Sequence, residues 1–226
     1  VRPDYTRSMD ESSTNPSDKA EGTAAHRKTA HRYSPRSGVH YLTFSCYRRL
    51  PLLGTPRLRD EFVQALIAAR RVHRFKLTAW VVMPEHIHIM VMPTAASGPD
   101  WEEGYGSALP SILIGLKKPV STKILARWRE IKWNNLSAIT DSRGNEHFWQ
   151  PGGGFDRNVR TIEELVREVR YIHQNPVERG LVKEPTDWAW SSARWYAGSP
   201  DVQPEIDQIR FGAGFFPGRK PEVYVR

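Results

Sequence analysis

One apolar stretch with two histidines inside it constrains this sequence more than any other feature. It covers residues 80–92, is rich in β-branched residues, and carries His86 and His88 one residue apart. Because successive side chains of a strand point to opposite faces, the two histidines share one face, roughly 7 Å apart. Ile87 and Ile89 lie on the other face and are predicted to belong to the core. Two imidazoles on one face can bind a divalent metal ion if a third ligand comes from elsewhere in the chain.

Charge and composition narrow the classes of partner and compartment. The chain has 33 Lys and Arg against 25 Asp and Glu, a formal net charge of +8, and its sequence pI is about 9.7. Such a surplus favours a polyanionic partner, nucleic acid first, although a basic surface without one is an open alternative. The single cysteine, Cys46, excludes an internal disulfide. With no apolar stretch of membrane-spanning length and no signal-peptide pattern, we expect a cytoplasmic protein that does not enter membranes.

The hydrophobic patterns predict one α+β domain over residues 37–196. Residues 1–36 contain no Ile, Leu, Phe or Trp and are predicted to be a disordered tail, and residues 197–226 an irregular one. The first predicted elements are a strand over 39–47, a helix over 57–74, a strand over 76–83 and the histidine strand. A loop over 93–110, a helix from Leu109 with a kink or break at Pro119, a short strand over 148–150 and a helix from Ile162 to about Gln174 follow. This order favours an antiparallel sheet with helices on one face.

The last predicted helix offers the third ligand. Tyr171 and Asn175 are four residues apart and therefore share one side of that helix. Asn175 is a candidate oxygen ligand, with Gln174 as the alternative, and Tyr171 is a candidate nucleophile. Such a ligand set favours Mg²⁺ or Mn²⁺ over Zn²⁺. Plainer interpretations stay open, because Tyr171 can be a packed aromatic and Asn175 the cap of a turn that begins at Pro176.

Two segments resemble those of a known family. Residues 83–88 (Met-Pro-Glu-His-Ile-His) resemble the histidine–hydrophobe–histidine (HUH) motif of single-tyrosine transposases. Residues 171–182, which begin Tyr-Ile-His-Gln-Asn-Pro, resemble the tyrosine-helix motif of the REP-associated tyrosine transposases, and residues 148–150 and 187–192 lie where that family carries similar segments. Glu85 stands where the family often has Asn. The resemblance spans about residues 39–196 and implies a ferredoxin- or RRM-like HUH fold.

The resemblance also implies an activity, namely cleavage and transfer of single-stranded DNA at a hairpin from a repetitive extragenic palindrome. His86, His88 and Asn175 would bind one Mg²⁺ or Mn²⁺, and Tyr171 would attack the scissile phosphate to form a covalent 5′-phosphotyrosine. No small-molecule cofactor is expected, and the protein would act as a monomer or a homodimer. A hairpin-binding protein without catalytic activity and a hydrolase of a small phosphorylated substrate are the alternatives.

Six cations are candidates for phosphate contacts. Four of them flank the predicted tyrosine helix, namely Arg157, Arg160, Arg167 and Arg170. Lys117 and Lys118 lie on the preceding helix. For the two lysines a solvated basic face is an equal alternative.

Overall fold

The computed structural model describes residues 38–93, 105–199, 201–211 and 214–216. The predicted tail over residues 1–36 and residues 94–104 of the predicted loop lie outside this part of the chain. No helix within the described residues is long and apolar enough to cross a membrane.

Four of the described strands form an antiparallel sheet. They are β1 (Val39–Ser45), β2 (Lys76–Val82), β3 (His86–Met92) and β4 (Phe155–Val159), and they pair in the order β2-β3-β1-β4. The histidine strand β3 is therefore an inner strand, between β2 and β1. The predicted α+β fold, with an antiparallel sheet that carries the histidines, is confirmed.

Helices pack on both faces of this sheet, so the prediction of helices on one face is wrong. α1 (Pro56–His73) lies on the face that carries Phe44, whose ring is 6.0 Å from that of Phe62, and it packs against α2 (Tyr105–Glu130). α3 (Ile162–Glu178) lies on the opposite face, where the Tyr171 ring is 5.5 Å from that of His88. An apolar stripe shows that a helix packs against a sheet, but it does not show on which face.

Two of the three long helices, α2 and α3, continue through internal prolines. α2 begins inside the predicted loop, at Tyr105, and continues through Pro110 and Pro119, so the helix is not broken at Pro119. α3 continues through Pro176 to Glu178, beyond its predicted end. A proline inside a helix removes one hydrogen bond and strains the preceding turn. Buried side chains on both sides, such as Leu116 and Val120 around Pro119, keep α2 packed in spite of this cost.

The fourth strand lies later in the chain than predicted. Residues 148–150 form only an isolated bridge, between Trp149 and Cys46, and β4 follows after a glycine turn. Gly154 has φ +79°, and a Cβ at this position would collide with the carbonyl oxygen of Thr43 on β1. Only glycine therefore lets the chain approach β1 closely enough to begin β4.

The outer edge of β2 is covered by a later segment, and part of the C-terminal segment is buried against the core. The Trp190–Ser192 segment runs along β2, where the Val82 amide donates to the Trp190 carbonyl and the Ser192 amide to the Trp80 carbonyl. Further on, the segment predicted to be irregular contains a hairpin of β5 (Ile209–Phe211) and β6 (Gly214–Phe216). Five of its described side chains are buried, namely Val202, Pro204, Ile206, Ile209 and Phe216. Short helices complete the fold, namely α4 (Ala193–Tyr196) and 3₁₀ turns over 47–49, 136–139 and 185–187.

Candidate active site

The two histidines of β3 converge at a single point. Both are buried on the sheet face that α3 covers, and their Nε2 atoms lie 3.0 Å apart. The rings stand nearly perpendicular, with centroids 4.6 Å apart. The side chains have thus turned towards each other from positions two residues apart on the strand.

The other ring nitrogen of each histidine is held by a neighbouring side chain. His86 Nδ1 lies 3.1 Å from Glu85 Oε1, and since a carboxylate can only accept, the ring hydrogen is on Nδ1. His88 Nδ1 lies 2.6 Å from the Tyr41 hydroxyl and 2.7 Å from Thr43 Oγ1. Contacts of this kind fix the orientation of an imidazole. The Glu85 contact leaves His86 Nε2 with a free lone pair, and His88 Nε2 has one when its Nδ1 donates to a hydroxyl, as a metal ligand requires.

Burial also sets the charge of the pair. It lowers the pKa of His86, and together with the neighbouring His86 it lowers the pKa of His88 to about 3. Both imidazoles are therefore neutral at neutral pH. Glu85, which lies against His86, also accepts from the Arg179 guanidinium at 2.9 Å, so an ion pair is part of the site.

α3 brings a tyrosine and an amide to the histidines. Its N-terminus is capped by the Thr161 hydroxyl, which accepts from the Glu164 amide, and a buried apolar stripe packs it on the sheet. Asn175 is buried with Nδ2 3.3 Å from His88 Nε2, whereas the alternative Gln174 is exposed to solvent. Tyr171 contacts His88 ring to edge, yet 43% of its surface remains exposed.

The donor atoms fit a small divalent cation. Two neighbouring ligands of an octahedral ion, each about 2.1 Å from it, are roughly 3.0 Å apart, as the two Nε2 atoms are. The Asn175 amide is next to them, and its oxygen takes the place of Nδ2 when the amide turns by half a turn. No group of three His, Cys, Asp or Glu suited to a metal occurs among the described residues, so an amide is the third donor at hand.

Comparison with known proteins identifies relatives of this chain. No protein-family model matches the chain. The REP-associated tyrosine transposase of Escherichia coli (strain K12) is 28% identical over 161 residues, which cover 71% of this chain and 79% of that protein. The solved structure of a REP-associated tyrosine transposase bound to a REP hairpin is 25% identical, with a TM-score of 0.54, and the match covers 82% of this chain and 95% of the other. The chain is a relative of the REP-associated tyrosine transposases. The resemblance seen in two short motifs is thereby confirmed.

The predicted DNA-binding cations of this transposase relative do not form one cluster. Arg157 and Arg167 both contact the buried carboxylate of Glu168, at 2.6 and 3.3 Å. Arg160 precedes α3 and Arg170 lies on it, and both are exposed to solvent.

The two lysines lie on α2, across the sheet from the histidines. Lys117 donates to the Gly152 carbonyl at 3.0 Å, and burial lowers its pKa, whereas Lys118 is exposed. Together with Gly152 they line a groove of about 560 Å³. The six cations are thus divided between the two faces of the sheet.

Sequence reasoning missed the residues that hold the histidines. Tyr41 and Thr43 alternate on β1, which indicates that they share a face, but only the pairing of β1 with β3 puts that face behind His88. Glu85 differs from the Asn of the family pattern, but the sequence around it does not show its contact with His86. Nothing local to Arg179 shows that it pairs with Glu85. Both pairings depend on long-range packing.

Proposed function

We propose that this chain is a metal-dependent tyrosine transposase that cleaves and rejoins single-stranded DNA at a hairpin. The observation that carries the proposal is the position of Tyr171, a solvent-accessible phenol in ring contact with His88, which is one of two neutral, oriented imidazoles. The names of its relatives and the net charge of +8 support a DNA substrate.

The chemistry assigned to Tyr171 is an exchange of phosphodiester bonds. Its hydroxyl oxygen attacks the scissile phosphorus, a bond from phosphorus to the tyrosine oxygen forms, and the bond to the 3′-oxygen breaks. The products are a 5′-phosphotyrosine and a free 3′-OH, and the tyrosine proton is released. Since one phosphoester replaces another, the reverse attack by a 3′-OH rejoins DNA without ATP.

His86, His88 and Asn175 would hold one Mg²⁺ or Mn²⁺ beside this tyrosine. Such an ion polarises a phosphate and stabilises the charge that develops on it. The protein's own part is orientation, in which Tyr41 and Thr43 hold one imidazole, Glu85 holds the other, and α3 sets the distance of Tyr171 from both.

A covalent adduct is the decisive test of this function. The full chain is incubated with end-labelled single-stranded hairpins from the DNA that flanks its gene, with Mn²⁺ or with chelator, and resolved on a denaturing gel. We expect a labelled protein band that needs Mn²⁺ and disappears in Tyr171→Phe. Tyr47→Phe is the matched control, because this partly buried tyrosine stacks on His147 away from the histidine pair.

Two outcomes would contradict the proposal. Cleavage that persists in Tyr171→Phe would identify water as the nucleophile. Salt-sensitive hairpin binding without cleavage in any metal would identify a binding protein that has lost catalysis.

A further inference from the structure

An exposed aromatic ring lies on the histidine side of the sheet, outside the proposed chemistry. Phe155 is the first residue of β4, pairs opposite Thr43, and therefore projects from the same face as His88. Although it is a large apolar residue, 53% of its surface is exposed.

A continuous row of ring contacts joins Phe155 to the nucleophile. The Tyr171 ring is 5.5 Å from His88, His88 is 5.6 Å from Tyr41, and Tyr41 is 6.3 Å from Phe155. Tyr41 and His88 are buried, so the accessible ends of the row are Tyr171 and Phe155. A single strand that crosses this face from Tyr171 towards β4 therefore meets Phe155 as the other accessible ring of the row.

The ring is also held in a way that suits a stacking surface. The pairing of β4 with β1 fixes the backbone of Phe155. The turn before it depends on Gly154, at a position that only glycine can occupy. The Phe155 ring meets Tyr41 edge to face, at an interplanar angle of 72°. An edge-to-face contact uses one edge or face of a ring and leaves the remainder free, and an aromatic face accepts any base because every base has a π-face.

We propose that Phe155 is the stacking platform for an unpaired base of the substrate strand beside the phosphate that Tyr171 attacks. This inference rests on the proposed function and adds a positioning residue to it. The partly exposed Arg157 side chain, two residues further along the same face and held by Glu168, provides a cation next to the platform.

The test places the fluorescent base 2-aminopurine at each unpaired position beside the foot of the hairpin. Binding to the full chain is measured with chelator present, so that no cleavage occurs. We expect stacking to quench the fluorescence at one position, and Phe155→Ala to abolish that quench and weaken binding roughly 5- to 100-fold. Phe155→Trp should retain both. Ile131→Ala, a residue of similar exposure beyond the end of α2, should change neither.

Phe155→Leu separates stacking from general apolarity and from folding. It keeps an apolar side chain without a π-face, so it should lose the quench and keep the thermal midpoint of the wild-type chain. A leucine variant that quenches and binds like the wild type overturns the proposal. Loss of a dimer in Phe155→Ala, seen by light scattering without DNA, would overturn it too and identify the β4 edge as a contact between copies.

The outcome is distinguishable from that of the proposed function. If no adduct forms but the quench depends on Phe155, the catalytic assignment fails and the platform stands. If the adduct forms and the Phe155 variants bind, quench and cleave like the wild type, the platform alone fails.

Discussion

The two faces of the central sheet are built from alternate residues of the same strands, and they differ in almost every respect. Towards α1 and α2 the strands present Phe44, Ile87 and Ile89, fully buried among aliphatic and aromatic side chains. Towards α3 they present polar side chains that hydrogen-bond to one another, and Tyr171 of α3 lies at the boundary with solvent. Successive residues of β1 and β3 therefore alternate between the hydrophobic core and the candidate active site. Substitutions on the two faces should have different effects.

The largest effect should come from the α3 face. His88→Ala removes one of the two converging nitrogens, so we expect Mn²⁺ binding by calorimetry to weaken more than about 100-fold, beyond the range typical of residues around the ligands. Covalent adduct should fall below detection. Circular dichroism should show that the variant is folded, since the loss of two side-chain hydrogen bonds costs about 1–3 kcal/mol. Unchanged Mn²⁺ affinity would exclude His88 as a ligand.

The opposite face should show the reverse pattern. Phe62→Ala removes a fully buried ring that contacts Phe44 and Trp149, so we expect the free energy of unfolding in urea to fall by about 3–5 kcal/mol. At a temperature where the variant is still folded, adduct formation per folded molecule should match that of the wild-type chain. Loss of adduct without loss of stability would show that the two faces are not separate.

A smaller effect should come from the residues around His86. Glu85→Ala removes the carboxylate that orients the imidazole and leaves Arg179 without its partner. We expect Mn²⁺ affinity to drop roughly 10- to 100-fold, and Glu85→Gln, which keeps an accepting oxygen, to recover part of it. Glu178→Ala, an exposed acid near the end of α3, serves as the control and should leave the affinity unchanged. Equal affinities for all three variants would contradict a positioning role of Glu85.

A pH dependence of stability should come from the inner side of α3. His173 is fully buried against the Ser192 hydroxyl, and burial lowers its pKa to about 3. In the unfolded chain a histidine titrates near pH 6.5, so between about pH 6.5 and 3 the unfolded state binds a proton that the folded state does not. The free energy of unfolding should therefore be highest above about pH 6.5 and fall by up to about 1.4 kcal/mol per pH unit below it.

The matched variant for this prediction is His173→Gln, which retains a donor for Ser192 but has no titrating group. Urea unfolding near neutral pH and at about pH 5 should show a shallower loss of stability for the variant than for the wild-type chain. Equal losses in the two proteins would mean that other groups account for the dependence.

Local sequence determined the parts of the site that one element contains. Alternation along β3 put His86 and His88 on one face, and the spacing of Tyr171 and Asn175 put both on one side of a helix with a threonine cap. The resemblance to a family connected the two elements. These inferences succeeded because they need only the period of a strand or a helix.

Tertiary structure alone decided the rest. The strand order β2-β3-β1-β4 places Tyr41 and Thr43 next to His88, and it places Phe155 of β4 on the same face of the sheet. Packing keeps α2 and α3 helical through their prolines. The pairing of Glu85 with Arg179 also results from tertiary packing. Strand register and helix placement depend on contacts between residues that are far apart in sequence. A local sequence pattern does not give the free energies of such contacts. The sequence therefore identified which residues were candidates for the chemistry, and the packing of the sheet decided which neighbours hold them in place.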